Sequence, residues 1–192
     1  MKPIDRSEIL PLGEYENVRD RFRTRVIAEK KLRRFSLGER LTGVFENRDT
    51  VLMQVQEMLR TERITREGAI EHEIATYNEL LPGVREISAT MMIEIDDKEE
   101  RDAFLLKAKG IERALRLTVN GEATSAIVNP TREREDRASA VIYVKWSVSE
   151  AGAGAIKAGT AKMQLSVEHA AYQASLDLSA DNVRSLAEDF AS

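Results

Sequence analysis

The chain has 192 residues, 42% of them hydrophobic, and a mean hydropathy of -0.38, the size and polarity of one ordinary globular domain. It contains no cysteine, which excludes a disulfide framework, a thiolate nucleophile and any cysteine-ligated iron-sulfur cluster built from this chain alone. Twenty-nine basic residues against thirty-three acidic ones give a net charge of -4, which predicts no bulk attraction to nucleic acid or anionic lipid. The opening Met1-Lys2-Pro3-Ile4-Asp5 has no apolar leader core, and no stretch reaches the roughly 18 apolar residues of a membrane span. The expectation is a cytoplasmic protein with no membrane contact.

Asp5-Arg6-Ser7-Glu8 has the spacing of a capping box, and the turn it opens must end before Pro11. Tyr15, Val18, Phe22 and Val26 recur at helical period, which predicts a long helix with these four on its buried stripe and Arg19, Arg21, Arg23 and Arg25 off it. Between Arg19 and Arg34 stand eight basic and two acidic residues, a local charge of +6 that leaves -10 for the rest of the chain. Such a run is either a solvated face or a surface for an anion or an acidic partner, and Arg19, Arg21, Arg23 and Arg25, with Arg48, are its candidate contacts. Nucleic acid is the weaker version of that reading, because only Phe22 and Phe35 supply rings nearby.

From Phe35 to Phe45 the pattern is extended, punctuated by Gly38 and Gly43. Asp49 is the expected N-cap of a second long helix with Val51, Leu52, Val55, Met58 and Leu59 on its apolar face. Thr65 is the expected cap of a third, in which Ile70, Ile74, Tyr77 and Leu81 form the stripe and Pro82-Gly83 ends it. Two antiparallel helices joined by a short turn fit these spacings.

The second half changes period. Ser88 to Ile95 reads as a strand, Asp97-Lys-Glu-Glu100 opens a helix that Gly110 can close, and Leu115, Leu117 and Val119 alternate with polar residues up to the hairpin signal Asn120-Gly121. The same order recurs: Ser139 to Trp146 echoes Ser88 to Ile95, Ser149 caps a Gly-Ala-rich helix, and alternating runs lead to His169 and on from Tyr172 to Leu178. Two β-α-β-β units about 51 residues apart are expected, separated by the mixed-charge loop Thr131 to Arg137. Ser179 then caps a terminal helix with Val183, Leu186 and Phe190 inward. The fold class is α+β: a helical N-terminal region (1–83) whose hairpin packs on a mostly antiparallel sheet region (84–192), together one compact domain. Open edge strands in that sheet would favour a homodimer by sheet extension.

There is no G-x-G-x-x-G, P-loop, G-x-S-x-G or H-E-x-x-H, and Glu71-His72-Glu73 lacks the second histidine that a zincin requires. What remains is a polar constellation on the helical hairpin: Glu46, Asn47, Arg48, Asp49, Gln54, Glu57, His72, Glu73, Tyr77 and Asn78. Glu73 lies beside the buried stripe, between Ile70 and Tyr77, so its carboxylate is expected to be partly desolvated and either raised in pKa or paired with a cation such as Arg48. Glu57, Glu73, Tyr77 and Asn78 are the candidate catalytic residues. If the turn at His169 met the third helix, His72, His169 and Glu73 would make a site for a single metal ion.

The run Phe45 to Ile64, followed by His72-Glu-Ile-Ala-Thr-Tyr-Asn-Glu-Leu-Leu-Pro-Gly83 and Ser88 to Ile95, resembles an uncharacterised bacterial family of the DUF3501 type over nearly the whole chain, including Ile9 to Tyr15. The resemblance brings no catalytic residues. It implies a gene neighbourhood of rubrerythrin-like proteins and cysteine-rich iron-sulfur oxidoreductases, and hence a rubrerythrin-like or iron-sulfur oxidoreductase partner. Two functions follow as expectations: an accessory or adaptor protein for a bacterial redox or oxidative-stress system, or a small metal-dependent or acid-base enzyme with a carboxylate and histidine site.

Overall fold

The computed structural model describes residues 1–129 and 134–191. Residues 131–133 of the mixed-charge loop lie outside them. A short 3-10 turn (Arg6–Glu8), capped by Asp5 and Glu8 in the expected box, leads into α1 (Leu12–Arg33). The hairpin β1 (Arg34–Leu37) and β2 (Leu41–Glu46) follows, then α2 (Arg48–Thr61) and α3 (Glu67–Asn78). The second half runs β3 (Glu86–Ile93), α4 (Lys98–Lys107), β4 (Leu115–Val119), β5 (Glu122–Ser125), β6 (Ile127–Val128), β7 (Val141–Ser147), α5 (Glu150–Lys157), β8 (Met163–His169), β9 (Tyr172–Asp177) and α6 (Ala180–Ala191).

The strands form two antiparallel sheets, ordered β1-β2-β3-β7-β6 and β5-β4-β8-β9. Alternation decides what each strand buries. Leu41 and Phe45, Ile87, Ala89 and Met91, and Ile142, Val144 and Trp146 face Leu115, Leu117, Leu165 and Val167 across one core. The two sheets also meet at their edges. The chain crosses from one to the other between β5 and β6, and β9 lies against β1, where the Tyr172 hydroxyl donates to Leu37 O at 2.9 Å and accepts from Arg40 N at 3.1 Å. Gly38 at the β1–β2 turn has φ +70°, and a Cβ there would sit 2.2 Å from that hydroxyl, so the turn tolerates only glycine.

The two β-α-β-β units are there, and the register relates them. Met91 pairs with Ile142, 51 residues on, and the hairpin ends Val119 and Glu122 correspond to His169 and Tyr172, each 50 residues on. Each unit gives one strand to the first sheet and a hairpin to the second, so β3 pairs with β7 and β4 with β8 about an approximate twofold axis. The caps are the expected ones: Asp97 Oδ1 accepts from Glu100 N and Ser149 Oγ from Gly152 N, while Gly110 adopts φ +81° and Asn120-Gly121 forms the left-handed hairpin turn.

A second, smaller core lies under the helical hairpin. Val51, Val55 and Leu59 of α2, Ile70 and Ile74 of α3, and Ile4 and Ile9 of the N-terminal segment pack together, with Tyr143 of β7 against them. Since β1 and β2 complete the first sheet, the N-terminal region is built into the same body as the second half. Three local expectations change. The α2 cap is Asn47, whose side chain accepts from Thr50 N, and not Asp49. The α3 cap is Arg66, not Thr65, with no side-chain cap bond. Val18 is 43% exposed, so the buried face of α1 is Tyr15, Val26 and Arg33 instead of a fully apolar stripe. No helix among the described residues is long and apolar enough to cross a membrane.

Candidate functional site

Two arginines on the inward side of α1 would be costly beside apolar neighbours unless each met an anion. Both do. Arg19 donates from Nε and Nη2 to the two carboxylate oxygens of Glu57, at 2.8 Å each, and the Tyr15 hydroxyl adds a third bond at 2.7 Å. Arg23 stands 3.9 Å away. Arg19 holds the Glu57 carboxyl below the ordinary glutamate value, and burial beside that carboxylate raises the Tyr15 phenol. Glu57 is therefore a lock between α1 and α2, with both oxygens engaged.

Arg33, 1% exposed, threads between the end of β2 and α6. It donates to Phe45 O at 2.8 Å, Glu46 O at 3.3 Å and Ser185 Oγ at 2.8 Å, and forms a forked pair with Asp189. Burial pushes the Asp189 carboxyl above its ordinary value, against the opposing pull of Arg33. Next to this network Glu46, 3% exposed, accepts from the hydroxyls of Thr50 and Thr90 (the latter at 2.6 Å) and from Gln54 Nε2 at 3.1 Å. It sits just ahead of α2, whose positive end favours the carboxylate.

The remaining candidates are scattered. Asn78 is a clamp, its amide accepting from Ile4 N at 2.8 Å and donating to Ile4 O at 3.0 Å. Glu73 and Tyr77 are half-buried on α3 and His72 is exposed. His169, at the end of β8, has both ring nitrogens engaged with backbone: Nδ1 accepts from Ala171 N and Nε2 lies 3.1 Å from Lys109 O. Among the described residues no three His, Asp or Glu side chains converge to hold a metal ion, so His72, His169 and Glu73 do not assemble as a ligand set. Of the five candidate anion-binding arginines, Arg19 and Arg23 face Glu57, Arg25 pairs with Asp49 at 2.5 Å, and Arg48 pairs with Glu8 rather than Glu73. Only Arg21 keeps its charge unpaired among the described residues, joined along α1 and into β1 by Lys30, Lys31 and Arg34.

Arg21 and Arg25 border a groove of about 410 Å³ between α1, α2 and the N-terminal segment. Its floor is Leu10, Tyr15, Val18, Phe22 and Leu52, and Arg25 lies over the Phe22 ring at 5.4 Å. The lip carries Arg25 paired with Asp49, Glu8 paired with Arg48 and the unpaired Arg21, so the groove offers an amphipathic segment an apolar seat beside one free positive charge. Periodicity alone missed this groove, because it placed Val18 in the core; the signal was present in the crowding of arginines around that residue.

A family model described as "Protein of unknown function (DUF3501)" matches residues 3–190. The chain belongs to the DUF3501 family. A crystal structure described as a novel protein of unknown function from Burkholderia pseudomallei K96243 is similar to this DUF3501 protein at 33% identity and a TM-score of 0.91, covering 98% of this chain and 99% of that one. No curated protein matches the chain.

Proposed function

We propose that this DUF3501 protein is an accessory protein of a bacterial redox or oxidative-stress system that docks a redox partner in the α1 groove. The observation that carries the reading is the pairing of an apolar floor at Val18, Phe22 and Leu52 with the unpaired Arg21 at its lip. A partner offering an acidic amphipathic segment would cover the apolar floor and neutralise Arg21, with Lys30, Lys31 and Arg34 steering its approach. The redox character of the partner rests on the family resemblance, which implies a rubrerythrin-like or iron-sulfur oxidoreductase. The carboxylate and histidine enzyme reading has less support, since Glu57 is consumed in holding α1 to α2 and Asn78 in holding the N-terminal segment to α3.

The test is affinity capture from the native host at low salt, with the wild-type chain and a Val18→Asp, Arg21→Glu variant. Recovery of a rubrerythrin-like or iron-sulfur oxidoreductase by the wild type, lost in the variant, is expected. Recovery of no such protein, or equal recovery by both chains, overturns the proposal.

A further inference from the structure

A cavity of about 910 Å³ opens beside the β4–β8–β9 sheet, between the α5–β8 loop and α6. Its floor is apolar, with Met163 and Val183 buried, and its rim carries Lys157, Thr160, Lys162 and Arg184, all exposed. Of the acids around it, Asp181 pairs with Arg184 at 3.0 Å, while Asp177 on the sheet side accepts from the neutral amide of Gln164 at 2.8 Å and is paired with no cation among the described residues, so the two lysines outnumber one unpaired carboxylate. Lys157 and Lys162 have no partner among the described residues, so two ammonium groups face one cavity in a chain whose net charge is -4.

The loop that presents them is fixed. Gly159, φ +68°, closes α5 with Gly159 N donating to Ile156 O at 2.8 Å and Thr160 N to Ala155 O at 3.0 Å. Lys162 N donates to Asn120 Oδ1 and Lys162 O accepts from Asn120 N, both at 2.8 Å, which ties the loop to the β4–β5 turn. The two lysine backbones are thus held in place while their side chains are free to close on a ligand.

We infer that this cavity binds a phosphate-bearing small molecule of nucleotide size, its phosphate between Lys157 and Lys162 and its body on Met163 and Val183. Two ammonium groups match a dianionic phosphate, where a single carboxylate would satisfy one of them. The volume falls within the range of small-molecule sites.

Isothermal titration calorimetry of the full chain in about 50 mM salt tests this, with AMP, pyrophosphate and adenosine as probes. AMP is expected to bind at least tenfold more tightly than adenosine. Lys157→Glu, Lys162→Glu should weaken AMP at least tenfold, while the charge-matched Lys107→Glu, Lys109→Glu pair, on exposed positions away from the cavity, stays within twofold. Equal melting temperatures for both variants keep the comparison clean. Absence of binding by both AMP and pyrophosphate at millimolar concentration, adenosine binding as tightly as AMP, or an equal loss in the Lys107, Lys109 variant overturns the inference.

Discussion

Arg19 grips both carboxylate oxygens of Glu57 at 2.8 Å, and this pair holds α1 against α2. Each side chain is mostly covered, 17% and 25% exposed, so removing one partner strands the other in a poorly solvated place. Glu57→Gln is expected to cost roughly 1–3 kcal/mol, a fall in Tm of roughly 2–10 °C for a chain of this size. Thermal unfolding followed by circular dichroism measures it. An unchanged Tm would mean that the pair contributes nothing to holding the helices.

The same contacts set a pH dependence. Arg19 lowers the Glu57 carboxyl and Arg48 lowers Glu8, so in the folded chain both bind protons less readily than when unfolded. The stability they contribute is complete above about pH 4.5, the ordinary glutamate value, and is lost as pH falls below it. Urea midpoints measured from pH 6 to pH 3 should drop, and drop less steeply in Glu57→Gln. Parallel curves for wild type and variant would contradict this assignment.

Arg33 carries the largest single penalty. Its removal takes a charged donor from Asp189, from the carbonyls of Phe45 and Glu46 and from the Ser185 hydroxyl in a buried place. Arg33→Ala is expected to destabilise by roughly 3–5 kcal/mol, whereas Arg34→Ala, one residue on and exposed, stays within about 0.5 kcal/mol. Chemical denaturation of the two variants side by side decides it.

Tyr172 closes the seam between the sheets. Tyr172→Phe deletes both hydrogen bonds to the β1–β2 turn and leaves Leu37 O and Arg40 N unpaired. The expected effect is a loss of roughly 1–3 kcal/mol, with faster amide exchange concentrated at residues 37–41. Unchanged exchange in that turn would show that the seam is held by packing alone.

The β-α-β-β repeat was legible because local signals agreed at every step: Asp97 and Ser149 cap, Gly110 and Asn120-Gly121 turn, and alternation carries the strands between them. Alternation reports that a strand has one buried face but not what covers it, so the split into two sheets was hidden. The helix α1 misled for a different reason. Its inward face holds Tyr15, Arg19 and Arg33, and a hydrophobic period cannot recognise an arginine whose anion lies 38 or 156 residues away. The same blindness applies to the polar candidates: the spacing that marks Glu57, Asn78 and His169 as polar groups does not reveal that they bond to Arg19, to the Ile4 backbone and to the Lys109 carbonyl, 38, 74 and 60 residues away.

The most direct test of the docking claim is hydrogen exchange of the chain with and without a purified rubrerythrin-like or iron-sulfur oxidoreductase captured from the host. Protection confined to residues 10–25 and the neighbouring turn of α2 around Leu52 is the result this account predicts. Protection elsewhere, with the α1 groove exchanging as fast as in the free chain, would contradict it.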